Sequence, residues 1–501
     1  MTAAVLFSRA QVGLSAPLVH VEVLITGGLP QFNIVGLPET AVKESRDRVR
    51  GAILSSGFEF PRKRITVNLA PADLPKDGGR FDLAIALGIL RAAEQLAGNH
   101  LERYEFLGEL ALTGTLRPIR GALTAAIGVV EAKRALLVSE DDTHAASLVP
   151  GAEVYGAPSL RAAWNHLSDV ERLPACASGR PATAPSTHFD LDLSQVHGQY
   201  AAKRALEVAA AGRHNLLMTG PPGTGKTMLA NRLPTLLPPL TDQEALETAA
   251  LYSISQSPRA AEDWYRAPFR SPHHSASAVA LVGGSSRPRP GEVSLAHNGV
   301  LFLDELGEFG RSVLEGLREP IEAGRVTVSR AALQAEFPAR FQFVATMNPC
   351  PCGYLNDGTP RCHCSDDAIR RYQLRISGPL LDRIDILLAV PRSKLRGTGP
   401  PPESSETVRD RVIRAHEIEI ARSGKPNSAL STAEIGRHCR LDQESSSLLT
   451  RAVEELALSE RAVQRVLRLA RTIADLNEDE HLTEPAIAEA IGYRRAEWRL
   501  A

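Results

Sequence analysis

Nowhere in the 501-residue chain do about 18 uninterrupted apolar residues occur, the length a membrane-crossing helix needs. The N-terminal MTAAVLFSRAQVG likewise lacks a positively charged start followed by a long apolar run. These absences argue against a membrane span or secretion and predict a soluble, cytoplasmic protein with no membrane partner. Net charge is nearly absent too, because 57 Lys and Arg face 58 Asp and Glu, a formal −1. That excludes a grossly basic nucleic-acid coat but leaves room for a local basic track inside an assembly. Cysteine is scarce, six in all, yet four of them fall in NPCPCGYLNDGTPRCHC, residues 348–364. In a reducing compartment such clustering points to metal ligands rather than disulfides.

A chain of this length, 43% hydrophobic, is too long for one ordinary core and suggests about three domains. Two segments without apolar periodicity serve as linkers: SDVERLPACASGRPATAPSTH (168–188) and RGTGPPPESSE (396–406). They divide the chain into 1–167, 189–395 and 407–501. In the first piece VHVEVLI and RITVNL alternate as strands do, and FDLAIALGILRAAEQLA reads as a helix. The last piece reads as helical throughout, with starts at Ser431 and Ser459. The expected class is α/β with a C-terminal helical domain.

The strongest chemical signal is NLLMTGPPGTGKTMLANRL. An apolar run, Leu216 to Met218, meets Gly220, Pro221, Pro222, Gly223, Thr224, Gly225, Lys226 and Thr227, and a helix-compatible stretch follows. Phosphate binding needs this order: glycines let backbone N–H groups crowd the phosphates, Lys226 supplies positive charge, and Thr227 offers a hydroxyl to Mg²⁺. Downstream, GVLFLDEL predicts a buried strand from Val300 to Leu303 ending in Asp304 and Glu305. Alone, such an ending is more often an ordinary strand end. After a phosphate loop it gives Asp304 the task of orienting Mg²⁺ and Glu305 that of polarising the attacking water.

Cys350, Cys352, Cys362 and Cys364 form two Cys-x-Cys pairs that can hold Zn²⁺ tetrahedrally, although the usual spacing is wider. His363 is a bystander on this reading, because four sulfurs fill the shell. Structural zinc contributes about 10–16 kcal/mol in small peptides, enough to order a loop rich in Gly, Pro and Asp. The alternative is a set of reduced free cysteines in an unbraced insert.

Across nearly its whole length the chain resembles the magnesium-chelatase-like AAA+ ATPases of the competence-protein ComM (YifB) type. The resemblance is carried by FRSPHHSASAVALVGG, RPRPGEVSLAHNGVLFLDELGEF, LREPIEAGRVTVSRA, NPCPCGY, RISGPLLDRIDI and FNIVGLPETAVKESRDRVRGAI. It implies an ATP-driven, ring-forming homo-oligomer, a hexamer, acting on DNA in branch migration of recombination intermediates during uptake of foreign DNA. It further implies a helix-2 insertion near 270–295 and a pore-facing hairpin in GRVTVSRAALQAEFPARF, with Arg330 at its tip. Asn348 becomes the sensor of the γ-phosphate, and Arg461 the second sensor in the helical lid. Arg383 becomes an arginine finger for a neighbouring subunit; its plainer reading is a surface arginine paired with Asp382 or Asp385. For Arg461 the plainer reading is a solvated basic stripe with Arg465 and Arg468.

The N-terminal piece resembles the proteolytic domain of Lon through LPKDGGRFDLAIALGIL and LTGTLRPIRGALTAAIGVVEAKRALLVSEDD. Between Lys76 and Ile85 there is no Ser, Thr or Cys, Arg80 stands where that family keeps its nucleophile, and Thr113 to Glu131 contains no lysine. Without nucleophile and base, acyl chemistry has no route, so a non-proteolytic binding or assembly module is expected. A competing function is a chelatase motor subunit that remodels a partner protein, which would share the same ATPase core.

Overall fold

The computed structural model describes residues 2–35, 40–76, 78–97, 100–177, 189–255, 257, 259–284, 288–330, 333–392 and 402–494. It divides into two compact units, Met1–Ala184 with Asp242–Trp264, and Pro185–Thr241 with Tyr265–Ala501.

The first unit is built on an eight-stranded mixed sheet. In spatial order its strands are Ala175–Cys176, Glu153–Ala157, Ala135–Ser139, Tyr104–Phe106, Thr2–Arg9, Leu18–Thr26, Arg64–Ala70 and Gln31–Val35. The strands read from VHVEVLI and RITVNL pair antiparallel, Val21 opposite Leu69 and Val23 opposite Val67. Their period-two alternation turns Val19, Val21, Val23, Ile25, Ile65, Val67 and Leu69 to the buried face. Against them packs the helix Asp82–Ala92, which buries every residue except Arg91. It ends before the predicted Ala97 because Glu94 enters the left-handed region at φ 61° and Gln95 N–H closes back onto Leu90 O at 2.9 Å. Within 168–188, expected as a linker, Ala175–Cys176 instead adds an edge strand against Val154 and Tyr155; residues 178–188 lie outside the described residues.

The expected 189–395 piece is interrupted. Residues 242–264 belong to the first unit, where Gly121 N–H donates at 3.2 Å to the O of Ser253, in the last turn of the helix Asp242–Ile254. Buried Ala245, Ala250 and Leu251 mark a helix that needs a partner, but local sequence does not name which one.

The second unit holds a five-stranded parallel sheet in the order Phe269–Arg270, Val300–Leu303, Gln342–Met347, Leu216–Thr219, Ile386–Ala389. Its three middle strands are buried on both faces, as continuous apolar runs in a parallel sheet require. All five carboxyl ends lie on one edge, the edge at which open parallel sheets hold ligands. Arg325–Arg330 and Leu333–Pro338 form an antiparallel hairpin with Arg325 opposite Pro338. Its tip, 331–332, and the Arg330 side chain lie outside the described residues.

Helices Ser405–Ser423, Thr432–His438, Gln443–Leu456, Glu460–Leu476 and Glu484–Gly492 complete this unit. Ser431 and Ser459 cap their helices as read, and Ser431 forms a capping box with Glu434. The helical segment does not close a core of its own. Val412, Leu469, Ile473 and Ile487 join one apolar cluster with Leu216, Val300 and Ile386 of the sheet. Ser405, inside the expected 396–406 linker, is already helical and buried, and its hydroxyl accepts from Leu193 N at 2.8 Å. Among the described residues no helix is long and apolar enough to cross a membrane.

Candidate active site and metal centre

Strand Leu216–Thr219 runs into the loop Gly220-Pro221-Pro222-Gly223-Thr224-Gly225, and helix Lys226–Ala230 follows at once. Gly223 and Gly225 hold φ of 77° and 87°, which only glycine adopts without strain. Thr224 Oγ1 donates to Pro221 O at 3.0 Å and fixes the turn. The buried Lys226 donates from Nζ to Gly220 O at 2.6 Å, Pro221 O at 2.9 Å and Asn348 Oδ1 at 3.2 Å. Burial pushes its ammonium down from the ordinary lysine range, while Asp304 and Glu305 oppose that shift. The cation is thus held at the loop by neutral acceptors, which charged phosphate oxygens outbid.

Strand Val300–Leu303 delivers the two carboxylates. Asp304 Oδ2 accepts from Thr227 Oγ1 at 2.9 Å, and Oδ1 accepts from the Thr346 hydroxyl. A hydroxyl and a carboxylate side by side are the oxygen donors a hard divalent cation takes, so these residues fit Mg²⁺. Glu305 is a non-glycine residue at φ 53°, held there by donating its N–H to Thr346 Oγ1 and Asp304 Oδ1, each at 3.1 Å. Its carboxylate is exposed and lies 3.9 Å from His274 Nδ1. Thr346 and His274 were missed by sequence reasoning. Thr346 is concealed inside the strand FQFVATM, and nothing local ties the histidine pair of FRSPHHSA to residue 305.

The chain therefore brings Lys226, Thr227, Asp304, Glu305 and Asn348 together. It does not bring Arg383 or Arg461 to them. Arg383 pairs with Glu322 and donates from Nη1 to Pro379 O at 2.7 Å, meeting neither Asp382 nor Asp385. Glu315, Arg318, Glu319, Glu322 and Ala323 line an open depression with it. Asp385 is buried against Arg465 at 2.6 Å and His214 at 3.6 Å; burial alone would raise its carboxyl, but these partners hold it well below the usual range. Arg468 donates to Leu430 O at 2.9 Å. The stripe of Arg465 and Arg468 is thus engaged rather than solvated, whereas exposed Arg461 makes no hydrogen bond or ion pair among the described residues.

In the first unit Arg80 is buried and donates to Arg120 O at 2.7 Å. Fully buried Lys76 donates to the carbonyls of Pro71 and Leu74, the latter at 3.2 Å.

The four clustered cysteines converge. All four Sγ atoms lie within 4.8 Å of one another, with Cys350 to Cys352 at 3.4 Å, Cys350 to Cys362 at 3.8 Å and Cys352 to Cys362 at 3.7 Å. Four sulfurs each about 2.3 Å from one ion would stand about 3.8 Å apart, so the set fits a tetrahedral zinc. Burial pushes the Cys350 thiol up to about 12. Burial acts the same way on Cys352, but the Tyr354 N–H and the neighbouring thiols outweigh it and bring that thiol down to about 7.

Comparison with known proteins agrees with this geometry. Residues 192–397 match the family described as magnesium chelatase, subunit ChlI; residues 21–142 and 402–494 match further ChlI families, the latter its C-terminal part. The chain is 49% identical over 499 residues to the competence protein ComM of Haemophilus influenzae, covering 99% of this chain and 98% of that one. It is 25% identical over 278 residues to the magnesium-chelatase 67 kDa subunit of Heliobacterium mobile, covering 49% of this chain and 40% of that one. It is 23% identical over 228 residues to the DNA replication licensing factor mcm6 of Schizosaccharomyces pombe, covering 41% and 23%. With a phosphate loop on a parallel sheet, a helical C-terminal segment and a relative of this identity over almost its full length, the chain belongs to the ComM-type, magnesium-chelatase-like AAA+ ATPase family.

Proposed function

We propose that the protein is an ATP-hydrolysing DNA motor, working as a hexameric ring, that promotes branch migration of recombination intermediates when foreign DNA is taken up. The observation that carries this reading is the meeting of Lys226, Thr227, Asp304, Glu305 and Asn348 at the strand ends of a chain that aligns end to end with a competence protein. The partial likeness to a replication licensing factor adds support for DNA as the partner.

ATP is the substrate. The loop N–H groups and Lys226 bind its β- and γ-phosphates, and Asn348, already on Lys226, contacts the γ-phosphate. Thr227 and Asp304 would hold Mg²⁺, which neutralises phosphate charge when bound. Glu305 takes a proton from water as the water oxygen bonds to the γ-phosphorus and the bond to ADP breaks. Arg383 leaves Glu322 and reaches the site of the neighbouring subunit, where an arginine finger contributes about 10³ to 10⁵ in rate. Arg461 serves as second sensor.

The hairpins Arg325–Pro338 would face the ring's pore and track the nucleic-acid backbone by charge and shape. The four cysteines hold a structural zinc, and the N-terminal unit is a binding or assembly module without peptidase activity. A four-way-junction assay tests the reading. ATP-dependent conversion of junctions to duplex products, abolished in Lys226→Ala, supports it. ATP hydrolysis without any junction processing would favour remodelling of a partner protein, the chelatase-like alternative.

A further inference from the structure

We infer that metal in the cysteine cluster and nucleotide in the phosphate loop stabilise each other, so that the cluster is a positioning element for the ATPase site and not only a staple of its own loop. The inference rests on the zinc and ATPase readings above, and three observations carry it.

First, the cluster is fastened to the sensor. Asn348, whose Oδ1 accepts from Lys226 Nζ at 3.2 Å, stands two residues before Cys350, which is fully buried. Second, the turn between the cysteine pairs lies on the phosphate loop itself. Gly353 adopts φ 84°, and a Cβ there would come 2.7 Å from Pro222 Cδ and 3.6 Å from Asn348 Cγ. Its N–H donates to Cys350 O at 3.0 Å, so the residue touching the phosphate loop is hydrogen-bonded to a metal-ligating residue. Third, little apolar burial orders the segment, whose other ties are polar: Asp357 accepts from Thr359 N–H at 2.8 Å and lies 3.9 Å from Arg392. Between Cys350 and Cys364 only Cys350 and Gly353 are buried, and burial of apolar surface is what would otherwise hold a loop in place.

Metal that fixes Gly353 therefore backs Pro222 and Asn348, and nucleotide that fixes those two residues in turn backs the cluster. Such coupling is reciprocal: whatever factor zinc adds to nucleotide affinity, nucleotide must add to zinc affinity.

The test uses the full-length chain and two equilibrium readouts, a fluorescent ADP analogue for the loop and competition with a chromophoric chelator for zinc. Saturating ADP is expected to raise zinc affinity by about fivefold or more, and zinc-stripped protein to bind ADP more weakly by the same factor until zinc is restored. Gly353→Ala is expected to keep zinc near one per chain yet bind ADP more weakly, because its methyl group displaces Pro222. Zinc affinity indifferent to ADP, together with wild-type ADP binding by Gly353→Ala, would overturn the coupling while leaving both parent readings intact. A chain that neither carries nor takes up zinc would remove the metal reading and the coupling with it. Loaded protein unable to bind ADP would remove the nucleotide reading instead.

Discussion

Glu305 sits in a left-handed backbone conformation beside a carboxylate already engaged by Thr227 and Thr346. The two carboxylates are thereby set apart, since Asp304 is engaged by two hydroxyls while the Glu305 side chain stays exposed. Glu305→Gln is expected to keep ATP binding and lower turnover by about a hundredfold or more; equilibrium nucleotide binding and phosphate release measure the two effects separately. Thr346→Val keeps the shape but leaves the Glu305 N–H with only Asp304 as acceptor and removes a donor to Asp304. It should cost about 1–3 kcal/mol of stability and also lower the hydrolysis rate, seen in denaturant melts and steady-state kinetics.

A third prediction at this scale concerns pH. Burial raises the Asp142 carboxyl to about 6, against the lowering effect of the Ile119 N–H, whereas an unfolded aspartate titrates at about 3.9. The folded state therefore holds the proton more tightly, so this group's contribution to stability falls as pH rises from about 4 to about 6 and is flat above. Asp142→Asn should be more stable than the natural chain at pH 7, by on the order of 1–3 kcal/mol, and equal to it near pH 4. Thermal melts across that window decide it. What sequence revealed at the residue scale was whatever a local pattern could carry: the loop glycines, Lys226, Thr227 and the Asp304–Glu305 strand end. Thr346 and His274 stayed hidden because their meaning depends on which strands become neighbours.

At the scale of elements, period-two alternation and the helix caps read correctly because each depends on a few adjacent residues. Ser431 and Glu434 satisfy each other's backbone N–H groups, and Ser431→Ala should cost about 1 kcal/mol, shifting the melting temperature by about 2–4 °C. Other features depended on distant partners. Residues 242–264 look like an ordinary helical stretch between the phosphate loop and the second carboxylate strand, yet they pack with the first unit. The C-terminal helices look like an independent bundle, yet their apolar faces complete the core of the ATPase sheet. An amphipathic pattern states that a face must be covered, not by what. Spacing alone could not show that the two Cys-x-Cys pairs close around a common point; the sulfur distances do.

Over the whole molecule, 57 basic residues against 58 acidic ones leave no general attraction for nucleic acid. A DNA motor of this composition must concentrate positive charge where subunits create a pore, and its grip on a phosphate backbone must weaken as salt competes. On the proposed reading the same assembly would also be needed for chemistry, because Arg383, the proposed finger, pairs with Glu322 of its own chain. Oligomerisation and hydrolysis should therefore rise together with protein concentration, and Arg383→Ala should lose turnover while keeping nucleotide binding. The most direct measurement is the ATP hydrolysis rate of the purified protein with and without four-way-junction DNA at two salt concentrations. A rate strongly stimulated by the junction, with stimulation that fades at the higher salt, is the predicted result. A rate equal in the presence and absence of every DNA would contradict the DNA motor while leaving the ATPase in place.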